Sequence, residues 1–375
     1  MTQGFPELSL CNDKTFAIHR QPDQDGFQIC CVGGFRAGMV DDDRWAIDPV
    51  LDDGRPTGKG FLTKAQLQAL LQKIRLVPIA FQRHGWLRGE YHSSWSPIVP
   101  GRKNHLRSPA DLWSDMANNL ARRRSDSKTR DTPTLTLEEI CAIFDNRTVE
   151  ERLSLSISLS LRSMDISVEH IAEFYHEQLV DMMAADLAEG QHAGTSEDPA
   201  LFSHVHSFFL QLGAARDYLA ALIAARLELD SDRLDSMGRL VDALRPEQFG
   251  ADALLNLLAK RQYIEPDPAK PNKARMSGWL RDASALRNQF VHSRPYGSKH
   301  IERLGRLVAI APKVGLYRYH RPVVLANNNA ADVLDVIAYH YKRATGLFYA
   351  LAETSGRDIS ILRLTENDVR SLGAT

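Results

Sequence analysis

The segment 201–226, LFSHVHSFFLQLGAARDYLAALIAAR, carries apolar residues at intervals of three and four positions. Because an α-helix completes a turn about every 3.6 residues, this spacing gathers the apolar side chains on one face and predicts a long helix with a buried stripe. The predicted stripe comprises Val205, Phe208, Leu212, Ala215, Leu219 and Leu222.

Three further helices are predicted downstream, at about 251–262, 277–293 and 330–352, from apolar periodicity and from start and stop signals. Between the last two, residues 315–325 predict a short β excursion. Four helices with one small β insertion predict a C-terminal antiparallel helical bundle over residues 201–375.

The N-terminal residues predict a different, α+β arrangement. Residues 15–19 and 27–32 are short apolar runs separated by proline and glycine, a pattern typical of strands in a small sheet. Thr63 and Gln66 have the spacing of a capping box at the start of a helix that extends to about residue 74. Residues 83–105 mix aromatic and basic residues with several prolines and glycines, so we expect an irregular segment there.

Two polar stretches indicate boundaries along the chain, at 121–133 and 190–199. They divide it into an α+β region of unknown role over 1–130, a helical connecting region over 131–200 and the predicted bundle. In the connecting region Thr136 and Glu139 have capping-box spacing. Residues 153–161 alternate with a period of two, which favours a strand, whereas Thr148 and Glu151 ahead of them favour a helix; both interpretations stay open.

Composition limits the classes of function. The 46 basic and 47 acidic residues nearly cancel, so any binding of nucleic acid depends on a local basic patch. The four cysteines, Cys11, Cys30, Cys31 and Cys141, have neither a disulfide-framework nor a zinc-site spacing. Residues 1–14 lack the pattern of a signal peptide, and no uninterrupted apolar run approaches membrane-spanning length, so we expect a cytoplasmic protein.

The predicted helix over 277–293 separates apolar from polar residues. Because each helical residue advances by about 100 degrees, one stripe comprises Trp279, Ala283, Leu286 and Phe290. The nearly opposite stripe comprises Arg281, Ala285, Asn288 and His292. The long side chain of Arg287 can bend toward Asn288 and His292. The sequence therefore predicts a cluster of Arg, Asn and His outside the core.

Residues 287–292, RNQFVH, resemble the HEPN superfamily, whose ribonuclease members carry an Arg, a polar residue, three variable residues and a His near the end of the third bundle helix. The resemblance covers roughly residues 201–356. It implies a HEPN-like bundle and a homodimer in which two copies of the motif face one cleft. It also implies that neither a metal ion nor a cofactor is required.

Metal-independent cleavage of RNA needs a base for the 2′-hydroxyl proton, a cation that stabilises the charged phosphorane and a group that orients the phosphate. We expect His292 to be the acid or base, Arg287 the phosphate clamp and Asn288 the residue that orients the histidine or the substrate. A local basic excess adds candidate RNA-binding residues, namely Lys273, Arg275, Arg281 and Arg294. A competing interpretation makes Arg287 and His292 surface residues of a helix end, where a histidine complements the helix dipole.

The sequence therefore predicts a metal-independent endoribonuclease of HEPN type, in a toxin–antitoxin module, in phage defence or in RNA processing. Its expected partners are RNA, a second copy of the chain and an antitoxin or regulatory protein. The alternative is a non-catalytic HEPN-like binding or dimerisation module. Two other patterns fall short of their motifs. Residues 54–60 are similar to a phosphate loop, but Asp53 stands where the first glycine should be and Gly60 where Ser or Thr should bind magnesium. The spacing of His84, Glu90, His92 and His105 matches no metal motif.

Overall fold

The computed structural model describes most of the chain. The described residues are 9–11, 26–49, 51–52, 55–56, 59–102, 107–129, 136–185, 189–311, 315–325 and 329–362. Over these residues the protein has an α+β fold, with an antiparallel sheet in its N-terminal part and a mainly helical remainder that contains three smaller sheets.

The N-terminal sheet has seven strands in the order β1-β7-β4-β3-β2-β8-β9. They are β1 (Ser9–Cys11), β2 (Gly26–Cys31), β3 (Arg36–Met39), β4 (Arg44–Asp48), β7 (Lys59–Thr63), β8 (Pro78–Leu87) and β9 (Glu90–Pro97). A separate short ribbon pairs β5 (Leu51–Asp52) with β6 (Arg55–Pro56). The predicted strand at 27–32 is confirmed as β2, whereas the one at 15–19 lies outside the described residues.

The expectation of an irregular segment at 83–105 is wrong for the residues that the structure describes. Strands β8 and β9 form a hairpin in which Leu87 pairs with Glu90. Its two-residue turn, Arg88 and Gly89, has positive φ at both positions, as a tight turn between twisted strands requires. Mixed aromatic and polar residues concealed the pattern, because both faces of this hairpin carry polar side chains.

Both predicted capping boxes are confirmed. At the start of α1 (Lys64–Lys73) the backbone N–H of Gln66 donates to Thr63 Oγ1 over 3.2 Å, and Thr63 N–H donates to Gln66 Oε1 over 2.8 Å. Thr136 and Glu139 form the same pair of hydrogen bonds at α3 (Leu137–Asp145). Each box satisfies backbone donors that a helix start leaves without intrahelical acceptors.

The polar stretch at 121–133 is not a linker over the residues that the structure describes. Helix α2 (Pro109–Thr129) continues through its first nine positions, and 130–133 lie outside the described ranges. The charge of Arg124 in this stretch has a structural role, because its guanidinium forms a nearly buried ion pair with Glu151 at 2.8 Å. A charged run can therefore be a helix that packs through ion pairs.

The open question at 153–161 is resolved in favour of a helix, since the segment lies inside α4 (Val149–Ala184). The alternating serines do not mark a solvent face: Ser154, Ser158 and Ser160 are buried, and Leu159 is exposed. Ser158 Oγ donates to the carbonyl oxygen of Ala110 over 2.7 Å, so small hydroxyl side chains permit close packing here.

The remaining helices are α5 (Asp198–Arg226), α6 (Met237–Ala243), α7 (Ala253–Lys260), α8 (Gly278–Arg287) and α9 (Val333–Thr354). The remaining strands are β10 (His192–Ala193), β11 (Ile264–Asp267), β12 (Lys270–Met276), β13 (Gly305–Ala311), β14 (Leu316–His320), β15 (Pro322–Val324) and β16 (Ala330–Asp332). The predicted β excursion is confirmed as β14 and β15. The β11–β12 hairpin was not predicted.

Helix α5 has the predicted buried stripe, because all six residues from Val205 to Leu222 are at most 1% exposed. The helix is long and apolar enough by length and composition to span a membrane, but most of its apolar window is buried inside the protein. This burial is what a core helix shows.

The chain forms two compact units, each assembled from three segments. The first unit comprises Met1–Leu106, Met164–Phe209 and Asn288–Lys342, and the second comprises Arg107–Ser163, Leu210–Arg287 and Arg343–Thr375. Each unit draws on all three regions that the sequence predicts. The chain passes from the second unit to the first between Arg287 and Asn288.

Candidate functional site

The RNQFVH segment lies where helix α8 ends. Residues Gly278–Arg287 are α-helical, but Asn288–Ser293 form a π-helical turn, in which each hydrogen bond spans five residues. The turn closes with a 2.6 Å bond from the backbone N–H of Arg294 to the carbonyl oxygen of Gln289. The expectation of a single α-helix over 277–293 is therefore corrected at its last six residues.

Burial along the segment agrees with the predicted separation of faces. Trp279, Ala283 and Phe290 are at most 4% exposed. The side chains predicted for the opposite stripe, Arg281, Ala285, Asn288 and His292, are exposed or partly exposed. Arg287 and Leu286 are also not buried. Asn288 and His292 thus stand at the surface with a buried phenylalanine between them in sequence.

The π-helical turn is anchored on its buried side within the first unit. The ring of Phe290 packs against that of Phe209, with centroids 4.8 Å apart. Gln289 Nε2 donates to the carbonyl oxygen of Val324 over 2.9 Å. These contacts come from residues other than Asn288 and His292, so they fix the turn and leave those two side chains accessible.

Arg294, predicted to bind RNA, has structural contacts in the same unit. Its guanidinium donates to the carbonyl oxygen of Val324 and lies 3.8 Å from Glu302 Oε1. Glu302 is fully buried and accepts from the backbone N–H groups of Gly297 and Val324, both at 3.1 Å. Arg294 therefore helps to hold the loop after the motif. This structural role accounts for an arginine at this position without any contact with RNA.

Arg287 is placed by the second unit. A Cβ built on Gly213 of α5 would lie 2.9 Å from Arg287 Nε and 3.2 Å from Arg287 Cγ. The arginine side chain therefore lies directly on the backbone of α5 at a position without a side chain. This contact explains a glycine in the interior of a helix, where glycine costs about 1 kcal/mol relative to alanine.

A second arginine, Arg216, is buried one turn along α5 and was not predicted from the sequence. Its Nη1 donates to Ser284 Oγ over 2.8 Å. Burial lowers the pKa of Arg216; the Asp217 carboxylate raises it and the charge of Arg287 lowers it. Burial raises the pKa of Asp217, which also accepts from the backbone N–H of Met237 at 3.1 Å. The available signal was a Gly-x-x-Arg pair inside an otherwise apolar helix.

The other basic candidates lie on β12 and α8 and have local partners. Lys273 Nζ donates to the carbonyl oxygen of Asp242 over 3.2 Å. Arg275 pairs with Glu265 across the β11–β12 hairpin at 2.6 Å, and Arg281 lies 3.7 Å from Asp282. All three side chains are exposed. The local positive excess is therefore smaller than the count of basic residues in the sequence suggests.

The first unit also contains an open cavity of about 470 Å³, and four of its nine lining residues are acidic. Its lining includes Asp48, His176, Glu177, Asp181 and Glu197. Burial lowers the pKa of His176 to about 3, so that ring is neutral and does not offset the carboxylates. Like charges repel, so this cavity is unsuited to a phosphate group.

Among the residues that the structure describes, no group of three or more His, Cys, Asp or Glu side chains is arranged to hold a metal ion. Of the histidines whose spacing matched no metal motif, His84 lies 3.1 Å from the amide of Gln28, and His105 is outside the described ranges. Cys30 and Cys31 are buried, and burial raises the pKa of the Cys30 thiol to about 12. Because the thiolate is the nucleophilic form, these two buried thiols are poor nucleophiles.

Searches against known proteins give no independent indication of class: no family model, no curated protein sequence and no solved structure matches the chain significantly. The assignment of function therefore rests on the chemistry and placement of the residues themselves.

Proposed function

We propose that this protein is a metal-independent endoribonuclease of HEPN type, with Arg287, Asn288 and His292 as its site. The observation that carries the proposal is the accessibility of Asn288 and His292 on a π-helical turn that is fixed from behind by Phe290. π-helical turns occur frequently at functional sites. An anchored turn with accessible polar residues is what a positioned acid–base group requires.

The proposed reaction is a transesterification within the RNA. The imidazole of His292 takes the 2′-hydroxyl proton, the 2′-oxygen bonds to the adjacent phosphorus, and the bond to the 5′-oxygen breaks. The 5′-oxygen leaves with a proton, so the products are a 2′,3′-cyclic phosphate and a 5′-hydroxyl. Arg287 stabilises the charge of the phosphorane, and Asn288 orients the histidine or the phosphate.

We further propose that two copies of the chain form one composite site in a HEPN-like bundle dimer. One imidazole cannot donate a proton to the leaving oxygen while it is accepting the 2′-hydroxyl proton. A second copy would supply the second imidazole and a second guanidinium. The proposed setting is a cytoplasmic toxin–antitoxin, phage-defence or RNA-processing system, with an antitoxin or regulatory protein as a further partner.

One observation favours the second candidate function, a non-catalytic binding or dimerisation module. Arg287 is only partly exposed and lies on Gly213, which is a packing role that needs no substrate. Under this alternative the same bundle dimerises or binds a partner, and His292 has no chemical role.

The deciding experiment incubates the purified full chain with single-stranded RNA in excess EDTA. The expected products carry 2′,3′-cyclic phosphate ends, because the substrate's own 2′-hydroxyl is the nucleophile. The control is the same oligonucleotide with 2′-deoxyribose throughout, which should stay intact. Activity that is lost on chelation and restored by magnesium would overturn the mechanism, and no cleavage of any RNA would favour the binding module.

A further inference from the structure

Two pairs of residues interlock where helices α5 and α8 meet in the second unit. Gly213 and Arg216 are three positions apart on α5, and Ser284 and Arg287 are three positions apart on α8. Arg287 lies on Gly213, while Arg216 reaches Ser284 at 2.8 Å. The first residue of each pair contacts the second residue of the other, so the two helices run antiparallel here. Both guanidinium groups therefore lie at the interface between α5 and α8.

Arg216 is an unusual residue for an interface between two helices, because its charge is buried there. It is 5% exposed, and its buried Nε makes no hydrogen bond within the part of the chain that the structure describes. Burying a guanidinium that is not fully hydrogen-bonded costs free energy. Arginine does not solve this problem by losing its proton, because its pKa is far above neutrality.

The neighbouring charges add to this cost. Arg287 repels Arg216, while one carboxylate, Asp217, acts favourably on both. Asp217 is itself held by the backbone N–H of Met237. A second carboxylate, Asp235, acts on Asp217 but is paired with Arg239 at 2.8 Å, so Arg216, Arg287 and Asp217 together leave a net charge of about +1 when all three are ionised. A bound anion would remove the excess charge and supply an acceptor for Arg216.

We propose that Arg216 and Arg287 form an anion-binding site for a phosphate of the RNA backbone, with Arg216 as a substrate-binding residue outside the RNQFVH motif. This inference rests on the proposed function, because Arg287 belongs to both. Guanidinium groups bind phosphate oxygens in bidentate fashion, so two of them fix both the position and the orientation of a phosphodiester. Ser284 orients Arg216 through its hydroxyl oxygen.

The test uses Arg216→Met in the full chain, with Arg216→Lys as the conservative variant. Arg216→Met removes a buried charge that Arg287 repels, and Asp217 keeps Arg287 and the backbone N–H of Met237 as partners, so Arg216→Met should fold. The matched control is Arg226→Met on the same helix. Arg226 pairs with Asp252 at 2.8 Å and Glu150 at 3.5 Å, so its loss should lower the melting temperature without affecting phosphate binding.

Two probes are used. Binding of inorganic phosphate is measured as the difference between the melting temperatures in phosphate and in chloride at equal ionic strength. Binding of a 2′-deoxy oligonucleotide is measured as its dissociation constant. In the parent, phosphate should raise the melting temperature. In Arg216→Met that rise should disappear, and oligonucleotide binding should weaken roughly tenfold, about the loss of one charge-assisted contact. Arg216→Lys should restore part of the binding.

The outcomes separate this inference from the proposed function. If phosphate binding depends on Arg216 but the protein cleaves no RNA, the anion site is supported and the proposed ribonuclease activity is wrong. If Arg216→Met cleaves RNA at the parental KM and binds the deoxy oligonucleotide as the parent does, the anion site is wrong and the proposed ribonuclease activity stands.

Discussion

Arg287 and Gly213 form a contact that only a glycine permits: a Cβ at position 213 would lie 2.9 Å from Arg287 Nε and 3.4 Å from its Cδ. The absent side chain on α5 therefore determines where the guanidinium at the end of α8 can lie. The contact links a residue of the RNQFVH motif to a helix interior far earlier in the chain.

Gly213→Ala should separate activity from stability. Alanine favours a helix interior over glycine by about 1 kcal/mol, and the atoms that its Cβ meets belong to a flexible side chain that can move. We expect a melting temperature equal to or above that of the parent, with reduced RNA cleavage because Arg287 is displaced. Gly238→Ala in α6 is the control, since its Cβ would meet no atom within 4 Å. Unchanged cleavage by Gly213→Ala would show that the position of Arg287 does not matter.

His292→Ala and Phe290→Ala should fail for different reasons. His292 is exposed, so its loss should abolish cleavage with little effect on thermal melting. Arg287→Ala should likewise abolish cleavage. Phe290 is 1% exposed, and truncating its ring should cost roughly 3–5 kcal/mol of folding free energy. Melting and RNA turnover are measured for all three variants; parental turnover by a stable His292→Ala protein would favour the binding-module alternative.

The stability of the protein should depend on pH through His176. Its Nδ1 donates to the carbonyl oxygen of Gly34 at 2.9 Å, and burial lowers the pKa of the ring from 6.5 to about 3. Between these two values the unfolded chain takes up a proton that the folded chain does not, so stability is lost as the pH falls from neutrality toward 3. At pH 4 the loss from this group is about 3 kcal/mol.

Urea unfolding of the parent and of His176→Gln at pH 7 and pH 4 measures this contribution. The variant should lose less stability than the parent between the two values. It should keep some dependence, because burial also lowers the pKa of His320 to about 4. An equal loss in parent and variant would show that His176 accepts a proton in the folded state.

A comparison of alanine substitutions at Gly34 and Gly89 measures how much free energy of folding is lost when an added Cβ has no room. Both have positive φ, 85° and 83°, so alanine carries the same backbone strain of about 1–2 kcal/mol at either position. A Cβ on Gly34 would also lie 2.3 Å from the carbonyl oxygen of Tyr175, whereas one on Gly89 would meet nothing within 4 Å. Gly34→Ala should therefore destabilise the fold by roughly 1–3 kcal/mol more than Gly89→Ala, as measured by urea unfolding.

The full chain should be a homodimer at the concentrations at which it cleaves RNA, because the proposed reaction needs two imidazoles in one site. Light scattering on the purified chain measures the mass. A second measurement mixes parent protein with an excess of His292→Ala protein. Cleavage should fall below that of the same amount of parent alone, because each mixed dimer has only one imidazole in its site. A monomeric mass under conditions of full cleavage would contradict the composite site.

The sequence alone determined features that depend on residues a few positions apart. The buried stripe of α5 follows from apolar side chains three and four residues apart, and the cap at Thr63 follows from a hydroxyl three residues before Gln66. The accessibility of Asn288 and His292 on either side of buried Phe290 follows from the same helical repeat. That these residues belong to a HEPN-like bundle stays a prediction.

Only the tertiary structure decided the features that depend on distant residues. The charged stretch at 121–129 is helical, and its Arg124 pairs with the distant Glu151. The two strands over 78–97 pair with each other across a turn with positive φ. The contacts of Arg216 with Ser284 and of Gly213 with Arg287 exist because α8 packs on α5. Local propensity contains no information about such partners, since the free energy of an ion pair or a close contact arises only when packing brings the two groups together.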